Sequence, residues 1–389
     1  MISVAIVASR VGLSHRGAET FVIELTRRLR EEFDITIYSG YQCPAIAENV
    51  KTVPIDLPCW ASKYFKWYDS LVKRCAIKKG FAGFAGRLII KVIERLYYPL
   101  PDVMEQYFFS RIVFREIEMT RPDILFPNNG VWGARFARHL RKKTGIPYIA
   151  IGHGGIGTGE KIVLHLDPDR YIAISGHAAQ WARGIFPKAE TIHNGVDIER
   201  FSTDHTRREE HRTLERPVVL CAAAFTAFKR QKLLVDAVAL MEKGTLILLG
   251  DGELREDLER YGMERLGNRF VLRSVPFNDM PYWYKLCDVF SLPSLNEPMG
   301  IVYIEAMAAN RPIVATDDEV RQEVVGEAGI LCNVEDTDAY AAALNEAAKR
   351  NWGDVPYQRA NEFFSWKTVS AKYRVLFNEL DEKKNSHEK

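Results

Sequence analysis

The stretch Leu292–Val314, LPSLNEPMGIVYIEAMAANRPIV, contains a strand end, a turn and a helix start in one short segment. An apolar strand at Asp288–Pro293 runs into a polar turn at Ser294–Asn296. Pro298–Gly300 then precede a nearly all-apolar helix, Ile301–Ala308. Proline near a helix start loses no hydrogen bond, because the first amides of a helix have no partner within it. This order predicts an α/β fold in which a helix begins at the C-terminal edge of a sheet.

Two carboxylates belong to this segment. Glu297 stands in the turn, and Glu305 lies inside the apolar helix. A charge in so apolar a helix costs free energy unless a hydrogen-bond donor pairs with it. Gly300 leaves the helix N-terminus without a side chain, so backbone N–H groups there can approach an anion. These features together predict a binding site for a phosphate-bearing sugar.

Composition narrows the class of protein. The 389 residues favour two domains, and 47% hydrophobic and 27% charged residues exclude a disordered chain. A formal net charge of +2 gives no indication of nucleic-acid binding. Six scattered cysteines without a CxxC pair are typical of reduced thiols in a cytoplasmic protein. The N-terminus, MISVAIVASR, predicts a first strand, not a signal peptide, and no apolar run reaches the ~20 residues that span a bilayer.

The chain begins with α/β alternation. A strand at Ser3–Ala8, a helix at Thr20–Glu31 and a strand at Asp34–Ser39 follow one another, with Gly17 before the helix. This order predicts a doubly wound domain, in which ligands bind beyond the C-terminal ends of the strands. Gly17 would let backbone amides approach a phosphate or a sugar, and a simple tight turn accounts for it equally well.

Another predicted strand, Pro147–Ile151, ends in the glycine-rich loop Gly152–Gly157. His153 in this loop is well placed to donate a hydrogen bond to a ligand oxygen, with a structural role as the alternative. Asp167 and Asp169 resemble a metal-binding pair. They come just before a strand, where turns and caps favour aspartate, so we predict no metal site there.

Residues 59–101 interrupt the alternation. Aromatic residues such as Trp60 are interleaved with basic residues such as Lys78, and only Asp69 and Glu94 are acidic. Aromatic and basic residues on helical spacing are typical of a helix at a membrane surface. The segment therefore predicts a helical insertion that contacts an anionic membrane. The alternative is a helical excursion that packs its aromatic residues on the domain and leaves its lysines in solvent.

The second half repeats the α/β pattern. A strand at Val218–Ala224 is followed by Lys229 and Arg230, and the next strand, Thr245–Leu249, is followed by Gly250. Parallel strands bring such loops to one edge of their sheet. We therefore expect the basic pair and the glycine loop at the edge that also carries the segment Leu292–Val314.

These motifs resemble those of the family-4 retaining glycosyltransferases of GT-B fold, over nearly the whole chain. The most specific element is Glu297-x7-Glu305 within NEPMGIVYIEAMA, and the next is the run His193–Asp197 with Phe201 behind it. Weaker elements that agree are Arg16–Glu19, Gly250–Gly252 and the segment around Lys229.

The resemblance implies two doubly wound, Rossmann-like domains that face a central cleft. We expect an acceptor-side domain at residues 1–190, which includes the insertion, and a nucleotide-sugar-binding domain at 191–365. The last helix, within 366–389, is expected to return to the N-terminal domain. The implied reaction moves a hexosyl unit from a UDP- or GDP-sugar to an acceptor, with retention of configuration and without a metal. Membrane contact would favour a lipid-linked glycan or glycolipid precursor of cell-surface polysaccharide, at the inner face of the cell membrane.

The resemblance also implies roles for individual residues. Glu297 would contact the transferred sugar, Lys229 would neutralise the diphosphate leaving group, and His153 would bond to the donor sugar or its phosphate. Glu305 would hold the ribose hydroxyls. This role agrees with the expectation that a carboxylate within an apolar helix needs a hydrogen-bond donor. The full set of expected donor-binding residues is Gly17, Arg230, Gly250, Met299, Gly300, Ile301 and Glu305.

Two positions depart from the family pattern. Ala224 stands where an arginine usually precedes Lys229 by five residues, and Arg16 stands where a glycine is frequent. Arg230 is the candidate for the second positive charge at the phosphates, although the sequence leaves the direction of its side chain open.

Three other functions match parts of the pattern. A dinucleotide oxidoreductase needs GxGxxG, whereas Gly250-x-Gly252 is followed by Arg255 in place of the third glycine. A GT-B sugar-nucleotide epimerase or phosphorylase shares the fold, because fold does not determine the reaction. A non-catalytic, membrane-associated scaffold of GT-B fold is the third, and inability to bind a nucleotide sugar would favour it.

Overall fold

The computed structural model describes residues 1–12, 17–43, 46, 48, 50–53, 99–128, 130–203 and 213–387. Most of the predicted insertion at 59–101, and Arg16, lie outside these residues. The chain divides into two compact units. The first contains residues 1–151, 158–171 and those from 376 on, and the second contains residues 152–157 and 172–375.

The first unit is built on a parallel sheet with the strand order β3-β2-β1-β4. Strands β1 and β4 are buried almost throughout, as expected for parallel strands that are covered on both faces, whereas β3 is largely exposed. The elements up to residue 173 are β1 Ser3–Val7, α1 Gly17–Leu29, β2 Asp34–Ser39, β3 Val50–Thr52, α2 Pro99–Thr120, β4 Ile124–Pro127, α3 Gly130–Thr144, β5 Ile149–Gly152, α4 Thr158–Leu164 and β6 Arg170–Ala173.

The second unit is built on a six-stranded parallel sheet with the order β10-β9-β8-β11-β12-β13. The elements from residue 176 on are α5 Gly176–Arg183, β7 Ala189–Thr191, α6 Ile198–Ser202, β8 Val218–Ala222, α7 Gln231–Leu240, β9 Thr245–Leu249, α8 Arg255–Leu266, β10 Phe270–Arg273, α9 Met280–Leu286, β11 Val289–Leu292, α10 Ile301–Ala308, β12 Ile313–Thr316, α11 Glu319–Val325, β13 Gly329–Cys332, α12 Thr337–Lys349, α13 Val355–Phe364 and α14 Trp366–His387. Strands β5, β6 and β7 form a third sheet in that order.

The prediction of an α/β fold with parallel sheets is confirmed. Helix α10 has the predicted bounds, Ile301–Ala308, and strand β2 has the predicted bounds, Asp34–Ser39. The strand predicted to reach Ala224 ends at Ala222. Among the described residues, no helix has both the length and the apolar character needed to cross a membrane.

The order of the second sheet determines where its loops meet. The chain moves outward from β8 through β9 to β10 and then returns to the other side of β8, where β11 pairs with it in parallel. Val289 of β11 is in register with Val219 of β8, so the two strands end side by side. Such a reversal of strand order is the place where open α/β sheets bind ligands. The loops after β8 and β11 carry Lys229 and Glu297 respectively.

The C-terminal part of α14 packs in the first unit. Phe377 is fully buried, and its ring lies 5.3 Å from that of Phe33 and 6.3 Å from that of Phe126, both edge to face. Lys384 donates to Asp123 Oδ1 at 2.7 Å. The end of the chain therefore contributes to the core next to β4.

We expect Phe377→Ala to lower the thermal unfolding midpoint by about 10 °C. Truncating a buried phenylalanine costs about 3–5 kcal/mol, and ~1 kcal/mol shifts the midpoint of a domain of this size by ~2–4 °C. Val375→Ala on the same helix is the control, because Val375 is 57% exposed. Scanning calorimetry compares the two variants, and equal midpoints would contradict the packing of this helix.

Candidate active site

Two of the predicted catalytic side chains contact each other. Lys229 ends the 3₁₀ turn Ala227–Lys229 after β8, and its Nζ forms an ion pair with Glu297 Oε2. Ser294 Oγ donates to the same oxygen at 3.1 Å. Both charged side chains are largely buried, with 14% of Lys229 and 12% of Glu297 exposed. The sequence predicted both residues at this edge of the sheet but not the bond between them.

The turn before Glu297 is held in place by side chains that donate to its backbone carbonyls. Arg230 Nε donates to Pro293 O at 2.8 Å. Thr316 Oγ1 and Arg321 donate to Ser294 O at 3.1 and 3.2 Å. Arg321 is completely buried and also pairs with its own helix cap, at the start of α11. Hydrogen bonds from charged donors are stronger than neutral ones, so two arginines hold this turn in place.

Arg230 is engaged through all three guanidinium nitrogens. Besides its bond to the Pro293 carbonyl, it donates to Glu335 Oε1 at 2.9 Å and to Thr316 Oγ1 at 3.2 Å. Its backbone is left-handed, at a φ of 52°. The side chain is thus directed to the ends of β11 and β12. Its predicted contact with phosphate stays a prediction and requires a change in these bonds.

Helix α10 begins without a side-chain cap. Gly300 has a φ of 81°, and a Cβ there would lie 2.4 Å from the ring of Tyr303, so glycine is required. Met299 is buried, and its sulfur accepts the Asn194 N–H at 3.3 Å. Ile301 is the first helical residue. The cap residue of α10 therefore offers no side-chain acceptor to the first backbone N–H groups, as the sequence predicted.

Glu305 lies one turn further along α10 and is 9% exposed. The Tyr284 hydroxyl donates to its Oε2 at 2.7 Å. Burial raises the pKa of Glu305 to about 7, although the bond from Tyr284 and the charge of Arg200 act in the opposite direction. The predicted need for a donor is thus met in part by a tyrosine. No sequence signal marked Tyr284, because it precedes Glu305 by 21 residues on another helix.

Backbone crowding explains the loop after β9. Gly250 has a φ of 153°, and a Cβ there would lie 2.0 Å from the Ala223 carbonyl oxygen. A Cβ on Gly252 would lie 2.6 Å from the Phe225 carbonyl oxygen, and the Phe225 N–H donates to Asp251 O at 2.9 Å. The loops after β8 and β9 therefore touch through their backbones, which requires glycine at both positions.

His153 belongs to the second unit, in the loop after β5. Burial lowers the pKa of its half-buried imidazole to about 4, so the ring is neutral at pH 7 and offers one N–H donor. In the same loop, a Cβ on Gly155 would lie 3.1 Å from Cβ of Pro298. The glycine loop thus packs against the residue that follows Glu297.

Gly17 lies in the first unit as the first residue of α1 and is half-buried. The next residue, Ala18, accepts a bond from the Asn128 side chain at 3.2 Å. Asn128 follows β4, so α1 begins at the C-terminal edge of the first sheet, where the sequence placed it.

No sequence signal marked the hydrogen-bonded group around the Glu323 carboxylate. Both oxygens of Glu323 accept the Gly176 N–H at 2.8 Å, and His193 Nε2 lies 2.6 Å from Oε1. Burial acts to raise the pKa of Glu323, but the bonds from His193 and Gly176 outweigh it and lower that pKa. Gly195, in the same motif as His193, lies against the Trp366 ring. The run His193–Asp197 thus has structural contacts of its own.

Asp167 and Asp169 face Arg141 in the first unit. Arg141 lies 3.6 Å from Asp167 Oδ2 and 2.9 Å from Asp169 Oδ1. Asp169 also accepts the Tyr148 N–H at 2.9 Å. Both carboxylates therefore stabilise the turn before β6, which is the kind of structural role that the sequence predicted for them.

Two family models match the chain. Glycosyltransferase Family 4 matches residues 15–200, and Glycosyl transferases group 1 matches residues 216–350. The chain is 27% identical over 233 residues to the GDP-mannose-dependent alpha-(1-6)-phosphatidylinositol monomannoside mannosyltransferase of Mycolicibacterium smegmatis. This match covers 51% of the chain and 59% of that relative. A lipopolysaccharide core biosynthesis glycosyltransferase, LpsE of Rhizobium meliloti, is 32% identical over 139 residues, 35% of the chain and 40% of LpsE. The chain thus spans about half the length of these relatives.

A solved structure covers far more of the chain. Anabaena HepE in complex with UDP and glucose has a TM-score of 0.71 at 17% identity, over 97% of this chain and all of HepE. A sucrose-phosphate synthase from Thermosynechococcus elongatus has the same TM-score and identity, over 98% of this chain and 99% of that one. The predicted GT-B fold is confirmed.

We expect Glu305→Gln to stabilise the protein by an amount that grows with pH. The pKa of Glu305 is about 7 in the native protein and 4.5 in a model compound. The native state therefore keeps a proton that the unfolded chain releases, and its stability falls as pH rises through this window. Above pH 7 this loss of folding stability reaches its full value of about 3 kcal/mol. Glutamine carries no such cost.

The measurement is the thermal unfolding midpoint of both proteins at pH 5 and pH 8. The variant should exceed the native sequence by several degrees more at pH 8 than at pH 5. Glu335→Gln is the control, because the Glu335 side chain is 70% exposed. A pH-independent difference for Glu305→Gln would show that its carboxyl group titrates normally.

Proposed function

Since the chain belongs to the family-4 glycosyltransferases of GT-B fold, we propose that it transfers a hexosyl unit from a nucleotide-diphosphate sugar to an acceptor, with retention of anomeric configuration. The observation that carries the proposal is the meeting of Lys229 and Glu297 at the adjoining ends of β8 and β11. A cation and a carboxylate lie there beside an uncapped helix N-terminus. A sugar diphosphate has matching groups, because its phosphates need positive partners and its hydroxyls need acceptors.

The donor would extend along the start of α10. Backbone N–H groups of Met299, Gly300 and Ile301 would bind the diphosphate and sugar, since a helix N-terminus favours negative charge. Glu305 would accept bonds from the ribose hydroxyls. Gly17 and Gly250 would allow close approach of the backbone, and Arg230 would add charge only after a change of partners.

Leaving-group stabilisation would be the main catalytic contribution. Lys229 and the amides of α10 would stabilise the charge that develops on the departing diphosphate. His153 would donate its N–H to the sugar or its phosphate, for which its neutral ring is suited. Under this proposal the acceptor hydroxyl attacks from the face that the diphosphate leaves, and the departing phosphate takes its proton. Configuration is then retained without a covalent intermediate and without a metal.

The acceptor would be lipid-linked or part of a surface glycan. The Mycolicibacterium smegmatis relative is named for a phosphatidylinositol monomannoside acceptor, and LpsE for lipopolysaccharide core biosynthesis. The aromatic and basic residues of segment 59–101 support contact with an anionic bilayer. We place the enzyme at the cytoplasmic face of the cell membrane as a peripheral protein.

A screen for nucleotide release tests the reaction. Purified protein is incubated with UDP- and GDP-sugars, with and without lipid acceptors. We expect Lys229→Ala to lower kcat by about 10²–10³, as loss of one transition-state donor does elsewhere. Glu305→Ala should mainly raise the donor KM, because it removes ribose contacts present before and during the reaction.

Lys232→Ala is the matched control, because Lys232 is a nearby lysine that is 45% exposed and paired with Asp257. It should keep the native rate. Near-native rates for both Lys229→Ala and Glu305→Ala would refute the assignment. Conversion of the nucleotide sugar to an isomer would instead indicate an epimerase, and sugar 1-phosphate formation a phosphorylase.

A flotation assay tests the membrane contact. We expect the protein to float with liposomes that contain anionic lipid, and to be released by high salt, because the attraction is electrostatic. Charge reversal at Lys78 and Lys79 should reduce the bound fraction several-fold, whereas charge reversal at Lys243 in the second unit should not. Equal binding to neutral and anionic liposomes would contradict the proposal.

A further inference from the structure

Lys229 and Glu297 each have two alternative bonding partners under the proposed function. They bond to each other, and each is also expected to bond to a different part of the donor. The diphosphate requires Lys229, and the sugar hydroxyls require Glu297. The ion pair and the two donor contacts use the same ammonium and carboxylate groups.

We propose that Glu297 competes with the diphosphate for Lys229, and that this competition lets the protein distinguish an intact nucleotide sugar from the nucleoside diphosphate left after transfer. The inference rests on the proposed function and adds a specificity role to Glu297. It concerns binding, and so it is separate from any effect of Glu297 on the chemical step.

Electrostatics makes the competition unavoidable. A phosphate that approaches Lys229 Nζ also approaches the Glu297 carboxylate bonded to it, and the two anions repel each other. The repulsion is poorly screened, because both side chains are at least 86% buried. Glu297 must therefore weaken its bond to Lys229 when the phosphate binds.

The two ligands differ in what they offer Glu297 at that point. An intact donor carries sugar hydroxyls, which can donate to the carboxylate as it loses the ammonium group. A nucleoside diphosphate lacks that sugar. Of its partners among the described residues, Glu297 would then keep the Ser294 hydroxyl, which donates to Oε2 at 3.1 Å. Leaving a buried carboxylate under-bonded is costly, so the diphosphate alone should bind more weakly than its phosphates would otherwise allow.

The protein around the pair favours an exchange of partners over a movement of the turn. Ser294, whose hydroxyl bonds to Glu297, is fully buried, and its carbonyl is held by Thr316 and Arg321. Glu297 can therefore change its partner while the segment that carries it stays in place. The released nucleoside diphosphate would be expelled in part by the carboxylate that had bound the sugar.

The experiment is calorimetric titration with UDP, GDP, UDP-glucose and GDP-mannose. In Glu297→Gln we expect the affinity for the preferred nucleoside diphosphate to rise about tenfold, which is near the lower limit of coupling between close charge pairs. Affinity for the matching sugar nucleotide should change less, so the preference for the intact donor narrows. Glu297→Ala should shift diphosphate affinity in the same direction, which covers the case in which the glutamine variant folds poorly.

Two controls separate the pair from general charge effects. Glu327→Gln removes an equal charge elsewhere in the second unit, from a 64% exposed carboxylate paired with Arg359, and it should leave diphosphate affinity unchanged. In a Lys229→Gln background, Glu297→Gln should lose most of its effect, because the competition requires the lysine. Circular dichroism establishes that each variant is folded.

The outcomes are distinct. Unchanged or weaker diphosphate binding in folded Glu297→Gln, or an equal gain in Glu327→Gln, would overturn the inference while leaving glycosyl transfer standing. If the native protein binds neither the diphosphates nor the sugar nucleotides, the proposed function fails together with the inference.

Discussion

The candidate site depends on the parallel pairing of β8 with β11. The loop after each strand is short, so each charged residue lies only a few positions beyond its strand end. Lys229 and Glu297, 68 residues apart, can therefore bond only while the two strands keep their register. The strand order reverses at β8, and α10 begins in the loop that follows β11. The ion pair and its position beside the uncapped helix both follow from this one feature of the sheet, whereas the glycine loop depends on the neighbouring pair of β8 and β9.

Two arginines also hold the Glu297 turn in position. Arg230 and Arg321 bond to the carbonyls of Pro293 and Ser294, the residues that join β11 to the Glu297 turn. An arginine with no exposed surface is rare, since burial of a charge is costly unless it is bonded. Arg321 finds such partners in the Ser294 carbonyl and the Asp318 carboxylate. The family pattern led us to expect the second cation at the phosphates, whereas here Arg230 is bonded to the Pro293 carbonyl and to the side chains of Glu335 and Thr316.

The sequence predicted those parts of the molecule whose signals are local. The bounds of α10 followed from its apolar run and the glycine before it, and β2 followed from its alternation. Lys229, Glu297 and Glu305 were found because strand ends and motif spacing place them. Tyr284, Arg321 and Glu323 were missed, because each acquires its role from a partner on another element: 21 residues away for Tyr284, 27 for Arg321 and 130 for Glu323. The direction of the Arg230 side chain was likewise decided by three acceptors on separate loops.

The glycines after β9 bear on how motifs are interpreted in other chains. Both Gly250 and Gly252 lie so close to the backbone of the preceding loop that any side chain would overlap it. A search that takes Gly-x-Gly after a strand as the mark of a nucleotide-binding loop would select this chain in any case, because the contact between the two loops already requires both glycines. In this chain the Gly-x-Gly pattern is required by the close contact between two adjacent loops of a parallel sheet. Pattern searches for phosphate-binding loops would therefore gain accuracy by first asking whether the fold itself already forbids a Cβ at the matched positions.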